Sequence, residues 1–255
     1  FPKLPYIEKS QYICLSQFTL KELIQKTIFS ISDNDTNKLL TGELFEINET
    51  ALKIASLDGH RISIRNATLK EAYETIKVVV PGKTLSEVSK ILTGNLEDEI
   101  RIYFTTNHIL FEFHQTIVVS RLIEGEYFKI NQMISTDYET KVTINKKEML
   151  NCIDRAILLV KEGEKKPIIL NITDHEMELK IHSSIGSMDE KIDIRKEGKD
   201  IMIGFNPRFM IDSLRAIDEE EVNLYLVNSK APCIIRDKEE NYIYLILPVN
   251  FNATV

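Results

Sequence analysis

Phe18-Thr-Leu-Lys-Glu-Leu-Ile-Gln-Lys-Thr-Ile28 is answered about 125 residues later by Val142-Thr-Ile-Asn-Lys-Lys-Glu-Met-Leu-Asn-Cys-Ile153, a spacing within the size of one ordinary domain. The echo continues outward from that pair. Val80-Pro81 before residues 84–92 is answered by Phe205-Asn206-Pro207 before residues 208–217. Glu99-Ile-Arg-Ile-Tyr-Phe104 is answered by Val222-Asn-Leu-Tyr-Leu226, and Val119-Ser-Arg-Leu-Ile123 by Tyr244-Leu-Ile-Leu-Pro248. Internal repeats decide architecture before any single element does. A strand-and-helix plan used twice, with no catalytic residue kept in both copies, suggests a scaffold.

Each half reads as strand, helix, several strands, helix, several strands, an α+β class. A helix is predicted over 20–31, where Leu20, Leu23, Ile24, Ile28 and Ile31 recur at helical spacing. Asp58-Gly59 lies between two alternating runs and predicts a hairpin with a type I′ turn. Pro81-Gly82 opens a second helix over 84–92 that Gly94 ends, and residues 100–113 and 117–123 alternate as strands. The second half predicts a helix over 147–160 and strands over 168–170, 177–182 and 188–194. Asn206-Pro207 supplies an N-cap and first-turn proline for a helix reaching 217. Strands over 222–227, 233–236 and 243–248 close the chain. The polar stretch 131–139 is the expected domain boundary.

With 255 residues there is room for two domains, each with its own core. No apolar run approaches the roughly 18 residues of a membrane span. Cys14, Cys152 and Cys233 make an odd count without a Cys-x-x-Cys pair, which predicts buried reduced thiols in a cytosolic protein. The net charge of −7 argues at first against nucleic acid, yet an acidic protein can still present one basic face. Lys21 and Lys26, Lys83 and Lys90, Lys147 and Arg155, and Arg208 and Arg215 fall beside the apolar stripes of the four predicted helices. These eight are the candidate residues for facing nucleic acid. Solubilising charge is the bland alternative, and Glu22, Glu87, Glu148 and Asp212 dilute each face. Lysines on phosphates would give attraction that is blind to sequence and weakened by salt.

Leu57-Asp-Gly-His-Arg-Ile62, with Gly42-Glu-Leu-Phe-Glu46 before it, Val80-Pro-Gly-Lys83 after it and Leu247-Pro-Val249 near the end, resembles the bacterial β sliding clamp family. This is the β subunit of DNA polymerase III, and the resemblance runs over essentially the whole chain. It implies two tandem clamp domains, each a pair of βαβββ units with helices on one side and antiparallel sheets on the other. It also implies a bacterial cytoplasmic, non-catalytic processivity factor without cofactor or metal. In the family, three domains per chain and two chains head to tail form a ring around duplex DNA, read without regard to sequence. Phe1-Pro-Lys-Leu-Pro5 looks like the end of the family's first domain. Residues 1–16 are therefore expected to be its linker, with the central domain over 17–134 and the C-terminal domain over 135–255. A monomer or weak dimer is expected for this chain.

The family's pocket lies between those two domains and takes short linear peptides from polymerases, the clamp loader and repair proteins. By position its walls are Leu40, Leu57, Gly59, His60, Arg61 and Ile62, then Phe128 and Met133, then Leu245, Leu247, Pro248 and Val249. One departure is that Tyr127-Phe-Lys-Ile130 stands where the family usually has aromatic-Pro-x-Tyr. A core role for the apolar residues, and local hydrogen bonding for His60 and Arg61, are the plainer readings.

Two alternatives compete with a clamp. One is a peptide-binding adaptor that does not encircle DNA. The other is a nucleic-acid enzyme using Asp58 and His60 as an acid–base pair, which needs further acids or a nucleophile nearby. Asp33-Asn-Asp-Thr-Asn37 resembles the start of a calcium loop, but Lys38 and Leu44 stand at its glycine and closing glutamate positions. His108 with His114, and His175 with His182, lack a third ligand. No phosphate-binding glycine loop or hydrolase motif is present.

Overall fold

The computed structural model describes residues 12–33, 36–161, 164 and 166–251. The chain forms two compact units, Phe1–Phe128 and Lys129–Val255. The first runs β1 (Tyr12–Ser16), α1 (Gln17–Gln25), β2 (Gly42–Leu57), β3 (Arg61–Pro81), α2 (Gly82–Ile91), β4 (Glu99–Phe104), β5 (His108–Phe113) and β6 (Thr116–Arg121). The second runs β7 (Thr140–Asn145), α3 (Lys146–Ala156), β8 (Ile168–Ile172), β9 (Glu176–Ser183), β10 (Gly186–Gly198), β11 (Ile201–Phe205), α4 (Pro207–Arg215), β12 (Glu221–Leu226), β13 (Cys233–Arg236) and β14 (Tyr242–Ile246). The second unit thus contains strand–helix–three strands twice over.

Side-chain caps set the helix starts. Ser16 Oγ accepts the Thr19 N–H at 3.0 Å, Asn145 Oδ1 the Glu148 N–H at 3.0 Å, and Asn206 Oδ1 the Arg208 N–H at 3.0 Å. Pro207 occupies the first turn of α4, as its sequence predicted. α2 begins without a side-chain cap. There Gly82 packs so closely on Ile31 and the Thr41 carbonyl that a Cβ would collide with both. The expected helix over 20–31 is shorter and earlier. It stops at Gln25, Thr27 Oγ1 turns back onto the Leu23 carbonyl at 2.7 Å, and Ile28–Ser30 forms a 3-10 turn. α3 likewise ends at Ala156, with Ile157–Leu159 as a 3-10 turn.

The caps also correct the register of the repeat. Ser16 and Asn145 occupy equivalent places, so Val142-Thr-Ile belongs to a strand while Phe18-Thr-Leu is already helix. β1 is the element that answers β7.

In the first unit β1-β4-β5-β6 make an antiparallel sheet, and β2 pairs with β3. β2 and β3, 16 and 21 residues long, occupy the stretch where the second unit has β8 to β11. Their register slips on either side of Glu49, whose φ is +53°. In the second unit the order is β11-β8-β9-β10-β7-β12-β13-β14. β10 pairs with β9 through residues 186–193 and with β7 through 194–198. The predicted run 100–113 is two strands, with the Thr105 N–H bonding the His108 carbonyl at 2.9 Å between them. The strand expected over 117–123 stops at Arg121, after which Ile123 bridges to Val79. The last strand ends at Ile246 rather than 248.

Both cores form under helix pairs. α1 contributes Leu20, Leu23 and Ile24 and α2 contributes Leu85 and Val88 to one cluster with Phe45, Ile54, Ile102 and Phe111. In the second unit Met149, Ile153, Met210 and Leu214 are fully buried on α3 and α4. Burying each such side chain contributes roughly 1.5–3 kcal/mol. Cys152 and Cys233 are buried free thiols, and burial pushes each up to about 12, so they stay protonated; Cys14 is only half-buried. No helix among the described residues is long and apolar enough to cross a membrane.

Candidate peptide-binding and nucleic-acid surfaces

The hairpin turn after β2 is built by one aspartate. Asp58 Oδ1 accepts the N–H groups of His60 and Arg61 at 2.9 and 3.1 Å, and Oδ2 accepts Arg61 Nε at 3.0 Å. The Arg61 guanidinium also donates to the Phe29 carbonyl and lies 5.5 Å from the Phe29 ring centroid. Gly59 has φ +88° and His60 does not share a positive φ. That is the φ pattern of a type II′ turn, correcting the predicted type I′, which needs both central residues positive. Both Asp58 oxygens are held inside the turn, so the carboxylate is a structural staple. The Arg61 and Asp58 side chains are only 11% and 14% exposed.

Of the other first-unit candidates, Leu57 and Ile62 pair across the hairpin and are buried, while Leu40 is half-buried at the 3-10 turn Lys38–Thr41. Phe128 packs edge-on against Tyr127, with ring centroids 5.8 Å apart. Tyr127 is buried, and its hydroxyl donates to the Gly42 carbonyl at 3.4 Å. Burial, then the nearby Glu43 carboxyl, push that phenol upward. That bond ties the segment before Phe128 to the start of β2, two residues after Leu40.

In the second unit Leu245 is buried within β14. Leu247 and Met133 are 38% and 46% exposed, and Pro248 and Val249 are half-buried. The Val249 N–H bonds the Gly204 carbonyl at 2.8 Å and fixes this segment against β11. Gly204 permits the approach, since a Cβ would meet the Val249 carbonyl and the Phe251 ring.

The eight basic residues separate into three groups: four ion-paired, one on a helix-end carbonyl and three exposed. Lys26 pairs with Glu22 at 2.5 Å, Lys90 with Glu87 at 2.8 Å, Arg215 with Asp154 at 3.1 Å, and Arg155 with Glu190 through both nitrogens. Lys21 Nζ donates to the Leu92 carbonyl at 3.1 Å, just past the end of α2. Lys146 does the same for α4 through the Ile217 carbonyl at 2.5 Å, a contact that spacing alone did not reveal. Ammonium groups there complement the negative helix C-terminus. Lys83, Lys147 and Arg208 are exposed and form no ion pair among the described residues. Arg155 and Glu190 stand in a cleft of about 290 Å³ between α3 and β10, with Asn151 and Ile192 also in its lining.

No cluster of three or more His, Cys, Asp or Glu able to hold a metal occurs among the described residues. Asn34 and Asp35 of the calcium-like stretch lie outside them.

Residues 14–129 match the DNA polymerase III beta subunit central domain, and residues 131–250 match its C-terminal domain. A beta sliding clamp of Staphylococcus aureus is 36% identical over 252 residues, 98% of this chain and 67% of that protein. The chain belongs to the beta sliding clamp family. Solved clamps agree with it in fold. The Bacillus subtilis DNA polymerase sliding clamp superposes with a TM-score of 0.95 at 33% identity, covering 99% of this chain and 67% of that one. A structure from Eubacterium rectale, described as a DNA polymerase III beta subunit, gives 0.96 at 68% identity over 98% and 68%. The two units are thus tandem clamp domains of helices and antiparallel sheet, and the internal repeat is that of a DNA-replication clamp.

Proposed function

We propose that this chain holds polymerase at its template by encircling duplex DNA in a ring of several copies, an assembly beyond the monomer or weak dimer expected from the sequence, and that it recruits partners through short linear peptides. The observation carrying the proposal is the ordered match to two successive clamp domains over nearly the whole chain. Tethering raises the local concentration of a partner at the primer end without chemistry. A non-catalytic role is in keeping with Asp58, whose carboxylate the turn itself occupies.

Leu247 and Met133 on the second unit, and Phe128 and Leu40 on the first, are the apolar surfaces we assign to peptide anchors. One or two Leu or Phe anchors contribute about 1.5–3 kcal/mol each. Micromolar affinity, roughly −8 kcal/mol, also needs hydrogen bonds from the peptide backbone. On the helices, Lys83, Lys147 and Arg208 are the residues we assign to duplex phosphates. Primer extension on a singly primed circular template, with a clamp loader and replicative polymerase, tests the whole reading. Longer products are expected with the chain present, and a length distribution unchanged by it refutes the reading.

A further inference from the structure

Glu43, the second residue of β2, is 0% exposed, and neither carboxyl oxygen has a hydrogen-bond partner. Strand alternation explains its direction, because Glu43 shares a face with the fully buried Phe45 and Ile47. The hydroxyls acting on it belong to Thr27 and Tyr127. Each also lies within reach of a backbone carbonyl. Thr27 Oγ1 donates to the Leu23 carbonyl at 2.7 Å, and Tyr127 Oη to the Gly42 carbonyl at 3.4 Å. Ser56 Oγ is likewise used on the Thr27 carbonyl at 2.5 Å. The Thr27 hydroxyl favours the charged form of Glu43, but burial outweighs it.

No cation among the described residues offsets a charge here. Tyr127 is the titratable group acting across the interior, and ionised it would add like charge. Charged side chains on the neighbouring elements are paired with one another: Lys26 with Glu22 on α1, Lys53 with Glu46 on β2, and Arg61 with Asp58 at the turn. Burial accordingly pushes the Glu43 carboxyl up to about 8.

The geometry points to Glu43 as a proton-operated latch, neutral in the closed state, whose ionisation loosens the first unit's peptide-binding wall. Three wall residues adjoin groups linked to it through Thr27, Tyr127 or the β2 backbone. Leu40 leads directly into the start of β2, Leu57 follows Ser56, and Phe128 follows Tyr127. The binding half of this inference rests on the peptide-surface reading given above; the proton site does not.

Between the ordinary carboxylate range and about pH 8, folded chain keeps a proton that unfolded chain has released. Stability therefore falls as pH rises through that window and levels off above it.

The test compares wild type with Glu43→Gln, and with Glu43→Met in case the amide strains the site. Urea midpoints are measured from about pH 5 to about pH 9, alongside anisotropy of a labelled peptide with Leu and Phe anchors. Wild type should lose midpoint with rising pH more steeply than either variant. If ionised protein does not bind, its peptide affinity should fall about tenfold between pH 7 and pH 9 while the variants hold theirs. Parallel stability curves, or a Glu43 carboxyl carbon titrating in the ordinary range by NMR, would overturn the proton site. Diverging stability with pH-independent peptide affinity would overturn the coupling. Diverging stability with no peptide binding at any pH would instead refute the peptide reading and leave the proton site standing.

Discussion

Leu247 gives the sharpest test of the peptide surface, because it lies outside β14 and its loss should spare the fold. It is 38% exposed, so a bound peptide can cover only about that fraction of the side chain. Scaling the 1.5–3 kcal/mol of a fully buried leucine gives about 0.6–1.1 kcal/mol for Leu247→Ala, or about three- to sixfold in Kd. Leu247→Asp adds the cost of setting a charge against apolar anchors, at least about 2 kcal/mol more, so affinity should drop by about a hundredfold or beyond. Anisotropy titration of a labelled peptide measures both variants, and thermal melting checks that each is folded. A folded Leu247→Asp protein with unchanged affinity would refute the assignment, and equal losses for Ala and Asp would refute the reasoning about burial.

Reversing Lys83, Lys147 and Arg208 to glutamate should weaken duplex binding and reduce the slope of log K against log salt by up to about 0.9 per lost phosphate contact. Reversing the ion-paired Lys26 and Lys90 should change that slope less; filter binding at several salt concentrations distinguishes the two sets. Asp58→Ala removes the acceptor for two turn N–H groups and for Arg61, and should cost about 1–3 kcal/mol in urea unfolding. Gly82→Ala drives a methyl into Ile31 and the Thr41 carbonyl, and should destabilise by about 1–3 kcal/mol in the same assay.

The helices were legible because their determinants are local: Asn206-Pro207 is a cap and a fixed φ, and Leu20, Leu23 and Ile24 form a stripe. Much of β3 was not. Between Asn66 and Lys77 its side chains are mostly exposed or half-exposed, and Lys70, Glu71 and Glu74 break the alternation that marks a half-buried strand. β11 was missed because Gly204 interrupts a short apolar run that lacks alternation. Glu43 is legible by parity, since it shares the core face with Phe45 and Ile47. The basic helix faces were visible as composition. Which cations keep their charge for a ligand depended on Glu190, 35 positions from Arg155, and on Asp154, 61 positions from Arg215, distances over which no spacing rule operates.

The lysines that close α2 and α4 bear on how such a protein would travel along its template. Lys21 and Lys146 neutralise carbonyl ends that would otherwise repel phosphate, yet in doing so they withdraw from gripping it. With Lys26, Lys90, Arg155 and Arg215 also held by acids, few cations on the described helices would remain to drag on a passing duplex. Each step along the axis then breaks and remakes only a handful of screened contacts, so friction is low. Under the proposed function, retention would come from enclosure instead of adhesion, and the acidic whole and its sparse basic positions would serve the same end.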